Sequence, residues 1–178
     1  MAAAMVALRG MVESASVIRV GVRPLLFVDI DGVLNPYEGP LPPGFDEYWL
    51  FPQDSEPVRV CQQHGEWLHE LSERYDLVWG TSWTAADRDS LGTVLDLPEF
   101  VATVTLPAGQ FDPALKVPAV DIAAGGRALA WFDDMLMAEA YAWADSRDAP
   151  TLLISIDPAV GLARCHVDQL LDWAGALE

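Results

Sequence analysis

Short apolar runs alternate with amphipathic segments along most of the chain, and the two patterns differ in period. Apolar runs bounded by polar or turn-forming residues predict buried strands at residues 25–28, 77–79, 101–104, 128–132 and 152–156. Apolar residues at helical spacing predict helices at about residues 65–74, 85–95, 117–124, 136–145 and 167–176. Strands that alternate with helices in this way are typical of a parallel sheet with right-handed crossovers. The sequence therefore predicts a single three-layer, Rossmann-like α/β domain with helices on both faces of a central parallel sheet.

Two segments depart from this alternation. Residues 1–22 predict a loose N-terminal extension to a domain at residues 23–178, with an extra edge strand at residues 17–22 as the alternative, and they lack a signal-peptide pattern. Residues 36–64 form an insertion rich in proline and aromatic residues. We expect this insertion to be irregular or hairpin-like and to be functional, as long ordered loops often are. The alternative is a surface loop packed on its own aromatic side chains.

Composition limits the classes of protein that fit. The chain has 178 residues, enough for one compact domain, and 52% of them are hydrophobic, as expected of a globular protein. With 10 basic and 27 acidic residues the formal net charge is −17, which repels nucleic acid and anionic membranes at long range. No apolar stretch reaches transmembrane length. We therefore expect no membrane partner and disfavour nucleic acid, although a bound divalent cation can reverse the local field and attract phosphate.

The chain contains two cysteines, Cys61 and Cys165, which lie far apart in the sequence. Their spacing matches no metal or redox motif. Reduced thiols and a cytoplasmic location are the expectation.

The clearest indication of chemistry is the segment LLFVDIDGVLN, residues 25–35. Its apolar run ends in Asp29, and a second carboxylate, Asp31, follows two residues later and precedes Gly32. Ligands of open α/β folds bind beyond the carboxyl ends of the strands, and alternate residues of an extended segment point the same way. Asp29 and Asp31 can therefore face one pocket, where their charges repel unless a cation neutralises them or one holds a proton.

Polar residues also follow two of the later predicted strands. Thr81 and Ser82 come after the second strand and offer a hydroxyl donor for a phosphoryl oxygen, with Thr81 the better match and Ser82 the alternative. Trp83 comes next and is expected at the mouth of the pocket. Asp133 and Asp134 follow the fourth strand. Each pair could instead cap the N-terminus of the next helix, where such side chains are favoured.

Lys116 is the only lysine of the chain, and all the other basic residues are arginines. Because the chain otherwise uses arginine, its single lysine indicates a site at this position that is suited to a compact ammonium group. Lys116 directly precedes the predicted helix at residues 117–124 and lies between the hydroxyl pair and the second acidic pair. We therefore expect Lys116 to be functional.

Taken in order, these segments resemble the four motifs of the haloacid dehalogenase (HAD) superfamily, whose members are mostly Mg²⁺-dependent phosphatases. DIDGVLN is similar to the first motif, Thr81 to the second, Lys116 to the third, and Asp133 with Asp134 to the fourth. The resemblance covers residues 25–134 by motif and extends to residue 156 by the strand pattern. It implies a phosphoric monoester hydrolase with Mg²⁺ as its cofactor.

The resemblance implies a role for each matching residue. Asp29 would be the nucleophile that forms an aspartyl-phosphate, and Asp31 the general acid and base, which also offers its backbone carbonyl to the metal. The residues expected to contact the substrate are Thr81, Ser82, Trp83 and Lys116, of which Thr81 and Lys116 would hold phosphoryl oxygens. The expected metal ligands are Asp29, Asp31, Asp133 and Asp134. Asp133 is expected to bind directly, and Asp134 to bind through water or to orient Lys116.

The resemblance also bears on the substrate. HAD enzymes usually gain specificity from a cap domain, but residues 36–65 and 106–115, at the two usual cap positions, are too few for an independent cap. This implies a capless member with an open cleft, which suits a large substrate or closure by the second subunit of a homodimer. Aromatic residues of the insertion could stack on a base or a sugar. We therefore expect a small-molecule phosphate ester or a nucleotide-like substrate.

Three other interpretations remain open at this point. A phosphotransferase could use the same Asp29 nucleophile with a different acceptor. A catalytically idle HAD-like fold could serve as a binding module. A receiver-like α/β fold could bind Mg²⁺ through acidic strand ends without a covalent step at Asp29, although such folds lack the DxDG order.

Overall fold

The computed structural model describes residues 23–51, 56–104 and 112–177. The predicted N-terminal extension at residues 1–22 lies outside the described residues, together with the edge strand considered at residues 17–22. Residues 52–55 of the insertion and most of the segment at residues 106–115 also lie outside them.

Among the described residues, five parallel strands form the central sheet: β1 Leu25–Val28, β4 Asp76–Trp79, β5 Ala102–Thr103, β6 Leu129–Asp133 and β7 Thr151–Ser155. Their order is β5-β4-β1-β6-β7, so the first strand lies in the middle and the chain adds strands on both sides of it. In β1, Leu25 lies opposite Asp76 on one side and opposite Leu129 on the other. The sheet confirms the predicted α/β class.

The described residues contain five α-helices: α1 Gln63–Ser72, α2 Ala85–Leu95, α3 Lys116–Ala124, α4 Ala138–Ser146 and α5 Arg164–Gly175. One 3-10 turn, Pro113–Leu115, leads into α3. α2 has the predicted bounds, because Thr84 and Asp87 form a capping box at its start. α5 begins before its predicted start at residue 167, because the Ala163 backbone N–H donates to His166 Nδ1 at 3.1 Å and extends the first turn into polar residues.

The sheet divides the core into two layers of apolar side chains. In β1, Leu26 and Val28 pack with residues of α1, α2 and α5, whereas Leu25 and Phe27 pack with residues of α3 and α4. All four side chains are fully buried, as expected of a parallel strand covered on both faces. The predicted three-layer arrangement is therefore confirmed, and the carboxyl ends of the strands meet at one edge of the sheet.

The insertion contains a two-stranded antiparallel sheet, β2 Asp46–Tyr48 paired with β3 Val58–Val60, which fits the hairpin-like expectation. Phe45 anchors it to α1 through an edge-on contact with His64, whose ring centroid lies 5.2 Å away. Arg59 braces the preceding loop, because its Nη1 lies 3.2 to 3.4 Å from three backbone carbonyl oxygens, those of Pro36, Glu38 and Gly39. Among its described residues the insertion forms no helix before α1.

Candidate active site

Four strand and helix ends bring the sequence-predicted residues to one edge of the sheet. Asp29 follows β1, Thr81 lies just after β4, Asp133 is the last residue of β6, and Lys116 is the first residue of α3. Because all of these strands are parallel, their carboxyl ends lie on the same side. Residues that are far apart in the sequence therefore contact one another directly.

Lys116 joins two buried carboxylates. Its Nζ lies 2.5 Å from Asp29 Oδ2 and 2.6 Å from Asp133 Oδ2. The exposed fractions of Lys116, Asp29 and Asp133 are only 4%, 5% and 0%. Removing such charges from water is costly unless they are paired. Here a single ammonium group serves two carboxylates, so the buried group has an excess of negative charge.

This excess determines the direction of the pKa changes. Burial and the repulsion from Asp133 raise the pKa of Asp29 well above its usual range, against the opposing effects of Lys116 and the Ile30 backbone N–H. Burial by itself would lower the pKa of Lys116, but the attraction of Asp29 and Asp133 outweighs it and raises that pKa. A cation bound beside these carboxylates would relieve the repulsion between them.

Asp133 is held from three sides and points away from the solvent. Besides Lys116, Trp131 Nε1 donates to Asp133 Oδ2 at 3.2 Å and the Met135 backbone N–H donates to Asp133 Oδ1 at 2.8 Å. The alternative that Asp133 or Asp134 caps the next helix is wrong, because α4 begins at Ala138 with Met137 in the cap position. The acidic pair is therefore free of that structural role.

Asp134 is the more accessible of the two acids. The Tyr37 hydroxyl, from the insertion, donates to Asp134 Oδ2 at 2.7 Å, and this contact raises the pKa of the Tyr37 hydroxyl. Burial raises the pKa of Asp134, with the Tyr37 hydrogen bond opposing it. Gly32 passes so close that a Cβ atom there would lie 2.3 Å from Asp134 Cγ, and its φ of +73° favours glycine in any case.

Three carboxylates form a donor set suited to a hard cation. Asp29, Asp133 and Asp134 each offer one oxygen, and these oxygens all lie within 4.8 Å of one another. Carboxylate oxygens are the ligands that Mg²⁺ prefers in proteins. The chemistry of these residues therefore fits the cofactor expected from the sequence, and both members of the second acidic pair belong to the set.

Asp31 uses its side chain differently. Trp83 Nε1 donates to Asp31 Oδ2 at 2.9 Å, and Asn35 Nδ2 donates to Asp31 Oδ1 at 3.0 Å. The side chain of Asp31 is not part of the three-carboxylate set. A metal contact through its backbone carbonyl stays a prediction.

The two hydroxyl residues after β4 have different surroundings. Thr81 is 1% exposed, and its Oγ1 accepts a hydrogen bond from the Trp83 backbone N–H at 3.3 Å. Ser82 is exposed and lines the cleft. Neither residue caps α2, whose N-cap is Thr84, so the capping alternative is wrong. Their roles towards a phosphoryl group stay predictions.

An open cleft of about 810 Å³ lies over this edge of the sheet. The strand and helix ends contribute Asp29, Asp31, Ser82, Trp83, Lys116 and Asp134 to its lining. The insertion adds Tyr37, Phe51 and Arg59. The insertion is therefore a wall of the cleft, and its part in function stays a prediction.

Sequence reasoning missed two residues of this edge, Asn35 and Tyr37. Asn35 stands within the DIDGVLN segment, four residues after Asp31, and this position was the available signal. Tyr37 was visible only as one aromatic residue among several in the insertion. Its contact with Asp134 joins residues 97 positions apart and has no local signature.

Comparisons with known proteins add no relative to this picture. No family model matches the chain, and no curated protein matches it. Within the residues that the structure describes, no helix is long and apolar enough to cross a membrane. A functional proposal for this chain therefore rests on the geometry of the strand-end residues.

Proposed function

We propose that this protein is a HAD-like, Mg²⁺-dependent phosphatase that hydrolyses a phosphate monoester through an aspartyl-phosphate on Asp29. The observation that carries the proposal is the contact of Lys116 with both Asp29 and Asp133 beside an open cleft. A buried cluster of side chains with an excess of negative charge destabilises the folded state by itself. Ionisable groups with strongly perturbed pKa values in a cleft are typical of functional sites.

Mg²⁺ would be held by Asp29 together with Asp133 and Asp134, the carboxylates whose oxygens lie within 4.8 Å of one another. When bound, it would offset the negative charge of these residues and of the phosphoryl oxygens. Lys116 contributes positive charge at the same place, because its ammonium group already lies against Asp29. An anionic nucleophile and an anionic phosphate could then approach each other.

In the first chemical step, an Asp29 carboxylate oxygen attacks phosphorus and a new O–P bond forms. The P–O bond of the ester breaks, and its electron pair goes to the leaving oxygen. Protonated Asp31 donates its proton to that oxygen, which releases the alcohol. The products are aspartyl-phosphate at Asp29 and ionised Asp31.

In the second step, water attacks the phosphorus of the aspartyl-phosphate. Asp31 takes a proton from this water, and the bond between Asp29 and phosphorus breaks with its electron pair returning to the Asp29 carboxylate. Inorganic phosphate leaves, and both acids regain their starting states. Lys116, with Ser82 or Thr81, would hold the phosphoryl oxygens through both steps.

The proposed substrate is a small-molecule phosphate ester or a nucleotide-like compound. The volume of the cleft, about 810 Å³, lies in the range of roughly 300–1,000 Å³ found for small-molecule sites. Phe51, Trp83 and Tyr37 supply aromatic surface in its lining. Closure of the cleft by a second copy in a homodimer is part of the proposal. The proposed location is a reducing, cytoplasmic environment, in which the thiols of Cys61 and Cys165 would stay free.

The test is hydrolysis of 4-nitrophenyl phosphate by the full chain, with Mg²⁺ and with a chelator. We expect Mg²⁺-dependent turnover by the wild type and its loss in Asp29→Asn. Asp172→Asn is the matched control, because it removes the same charge from an exposed position on α5. Acid quenching followed by mass spectrometry should find a phosphoryl group on the peptide that contains Asp29.

Two results would contradict the proposal. Turnover that survives in Asp29→Asn would exclude Asp29 as the nucleophile. A folded wild type that binds Mg²⁺ but neither turns over phosphate esters nor binds beryllofluoride, an aspartyl-phosphate mimic, would point to the idle binding module instead.

A further inference from the structure

We propose that Trp83 and Asn35 are positioning residues for Asp31, so that the loop after β4 and the insertion together orient the acid–base group. This inference rests on the proposed phosphatase function. Its basis is that two N–H donors contact the Asp31 carboxylate, one on each oxygen: Trp83 Nε1 on Oδ2 at 2.9 Å and Asn35 Nδ2 on Oδ1 at 3.0 Å.

The two contacts fix the orientation of the carboxylate without using all of its capacity. A carboxylate has about four lone-pair sites, and each oxygen of Asp31 accepts only one of these N–H donors. A proton or a leaving oxygen can therefore still be accommodated on either oxygen. Donors on both oxygens also oppose rotation of the carboxylate about its Cβ–Cγ bond. Asp31 is thus oriented before a substrate arrives.

Trp83 is itself held in place by neighbouring residues, which would not be required if it only lined the cleft. Arg88 Nη1 donates to the Trp83 carbonyl oxygen at 2.6 Å, and the Trp83 backbone N–H donates to Thr81 Oγ1 at 3.3 Å. The rings of Phe51 and Trp83 meet edge to face, with centroids 5.3 Å apart and planes at 73°. Thr81, although buried, is thereby connected to the site through Trp83.

Asn35 connects the other oxygen of Asp31 to the insertion. Its Oδ1 accepts the Arg59 backbone N–H at 2.9 Å, so the amide is bound at both ends. Arg59 belongs to β3, and its guanidinium group contacts the carbonyl oxygens of the loop at residues 36–39. The backbone of Asn35 also accepts the Gly32 N–H at 2.9 Å. The hairpin of the insertion therefore acts as a scaffold for Asp31.

A positioning role has a kinetic signature that a structural role lacks. Proton donation matters most for a poor leaving group, such as the alkoxide of glycerol phosphate, and little for 4-nitrophenolate. The ratio kcat/KM reports the steps up to transfer of the phosphoryl group, so hydrolysis of the intermediate does not enter it. Trp83→Phe keeps an aromatic ring but loses the N–H. We expect kcat/KM for glycerol phosphate to fall on the order of 10-fold, part of the roughly 10²–10⁴-fold that general acid–base catalysis supplies.

The experiment compares both esters in wild type, Trp83→Phe, Asn35→Ala and Trp49→Phe. The last is the matched control, because Trp49 is a tryptophan of the insertion that is 65% exposed and outside the cleft lining. We expect both test variants to lose far more activity on glycerol phosphate than on 4-nitrophenyl phosphate, and the control to lose none. An equal loss on both esters, or no loss on either, would overturn the proposal.

A second readout needs no turnover and reports on the contact itself. In the ¹⁵N-labelled full chain, the indole N–H resonance that disappears in Trp83→Phe belongs to Trp83. We expect this resonance to lie downfield and to shift in Asp31→Ala, since its acceptor is lost. If the indole resonance of Trp83 does not shift in Asp31→Ala, the contact between Trp83 and Asp31 is refuted, even if Trp83→Phe folds poorly.

The two arms separate this inference from the function on which it rests. If the wild type hydrolyses neither ester and does not bind beryllofluoride, the phosphatase is refuted and the role of Trp83 in catalysis falls with it, while a responsive indole resonance would assign the contact to the fold alone. If the wild type is active and the resonance responds, the comparison of the two esters decides whether Trp83 and Asn35 position Asp31 for proton donation.

Discussion

His64 is a buried histidine that the fold keeps uncharged. It is fully buried near the start of α1, where its Nε2 lies 3.0 Å from the Leu162 carbonyl oxygen. Its Nδ1 has no hydrogen-bond partner among the described residues. Burial lowers the pKa of His64 from 6.5 to about 4, against the opposing effect of the Leu162 carbonyl. Stability should therefore depend on pH through this residue.

The sign and size of the effect follow from proton linkage. Between pH 6.5 and 4 the unfolded chain protonates His64 and the folded chain does not, so lowering the pH favours unfolding. The contribution to stability is complete above pH 6.5 and is lost as the pH falls towards 4. Because one pKa unit corresponds to about 1.4 kcal/mol, the whole loss is about 3 kcal/mol, with about 2 kcal/mol of it reached by pH 5.

Urea unfolding of wild type and His64→Gln between pH 7 and pH 5 measures this loss. Glutamine does not titrate, and it retains an N–H that can reach the Leu162 carbonyl. Carboxylates also titrate as the pH falls, but they do so in both proteins. We therefore expect the free energies of unfolding of the two proteins to converge, or to cross, as the pH falls. Parallel curves would refute the assignment of a buried, neutral His64.

Three further predictions concern the strand-end site. Gly32→Ala should abolish turnover and lower the melting temperature, because the new Cβ would overlap Asp134. The positive φ itself costs about 1–3 kcal/mol for a residue other than glycine. Gly126→Ala is the control, because Gly126 has a φ of +84° and open space around it. Tyr37→Phe should raise the Mg²⁺ concentration for half-maximal activity about 10-fold or more, measured by Mg²⁺ titration, since it loses the hydrogen bond to Asp134. Lys116→Met should lower the free energy of unfolding without metal by about 3–5 kcal/mol in urea at neutral pH, because two buried carboxylates lose their counter-charge.

Each of these predictions has an outcome that would contradict it. Equal effects of the alanine substitutions at Gly32 and Gly126 would assign the damage to backbone conformation and not to contact with Asp134. An unchanged Mg²⁺ requirement in Tyr37→Phe would separate Asp134 from the metal. A Lys116→Met protein as stable as the wild type would mean that Asp29 and Asp133 accommodate their charges without an ammonium group.

Local sequence patterns predicted the elements whose causes are themselves local. β1 has its predicted bounds because a four-residue apolar run is followed directly by acidic and turn-forming residues. α2 has its predicted bounds because Thr84 and Asp87, which form its capping box, lie only three residues apart at its start. α4 begins at Ala138 and not at residue 136, because the chain first turns at the end of β6 with Met137 in an extended conformation.

Long-range hydrogen bonds limited what the sequence could predict about the site. Asp29, Lys116 and Asp133 could be placed at one edge because strand ends in a parallel sheet converge. The pairing of Trp83 with Asp31 and of Tyr37 with Asp134 depends on how the insertion folds over the sheet. No periodicity encodes such contacts. The same holds for Thr81 and Ser82, since the direction of the chain after β4 decides which hydroxyl faces the cleft.

The central place of β1 makes the order of folding important. This strand is among the first residues of the domain, yet its two neighbours in the sheet, β4 and β6, come much later in the chain. During synthesis, β1 would carry two unpaired edges, and Asp29 would lack both Lys116 and Asp133. Such non-local pairing slows folding and leaves apolar strand edges open to association. The repulsion among the acids is therefore encountered only after most of the sheet has formed, so binding of the proposed Mg²⁺ would report the completion of folding.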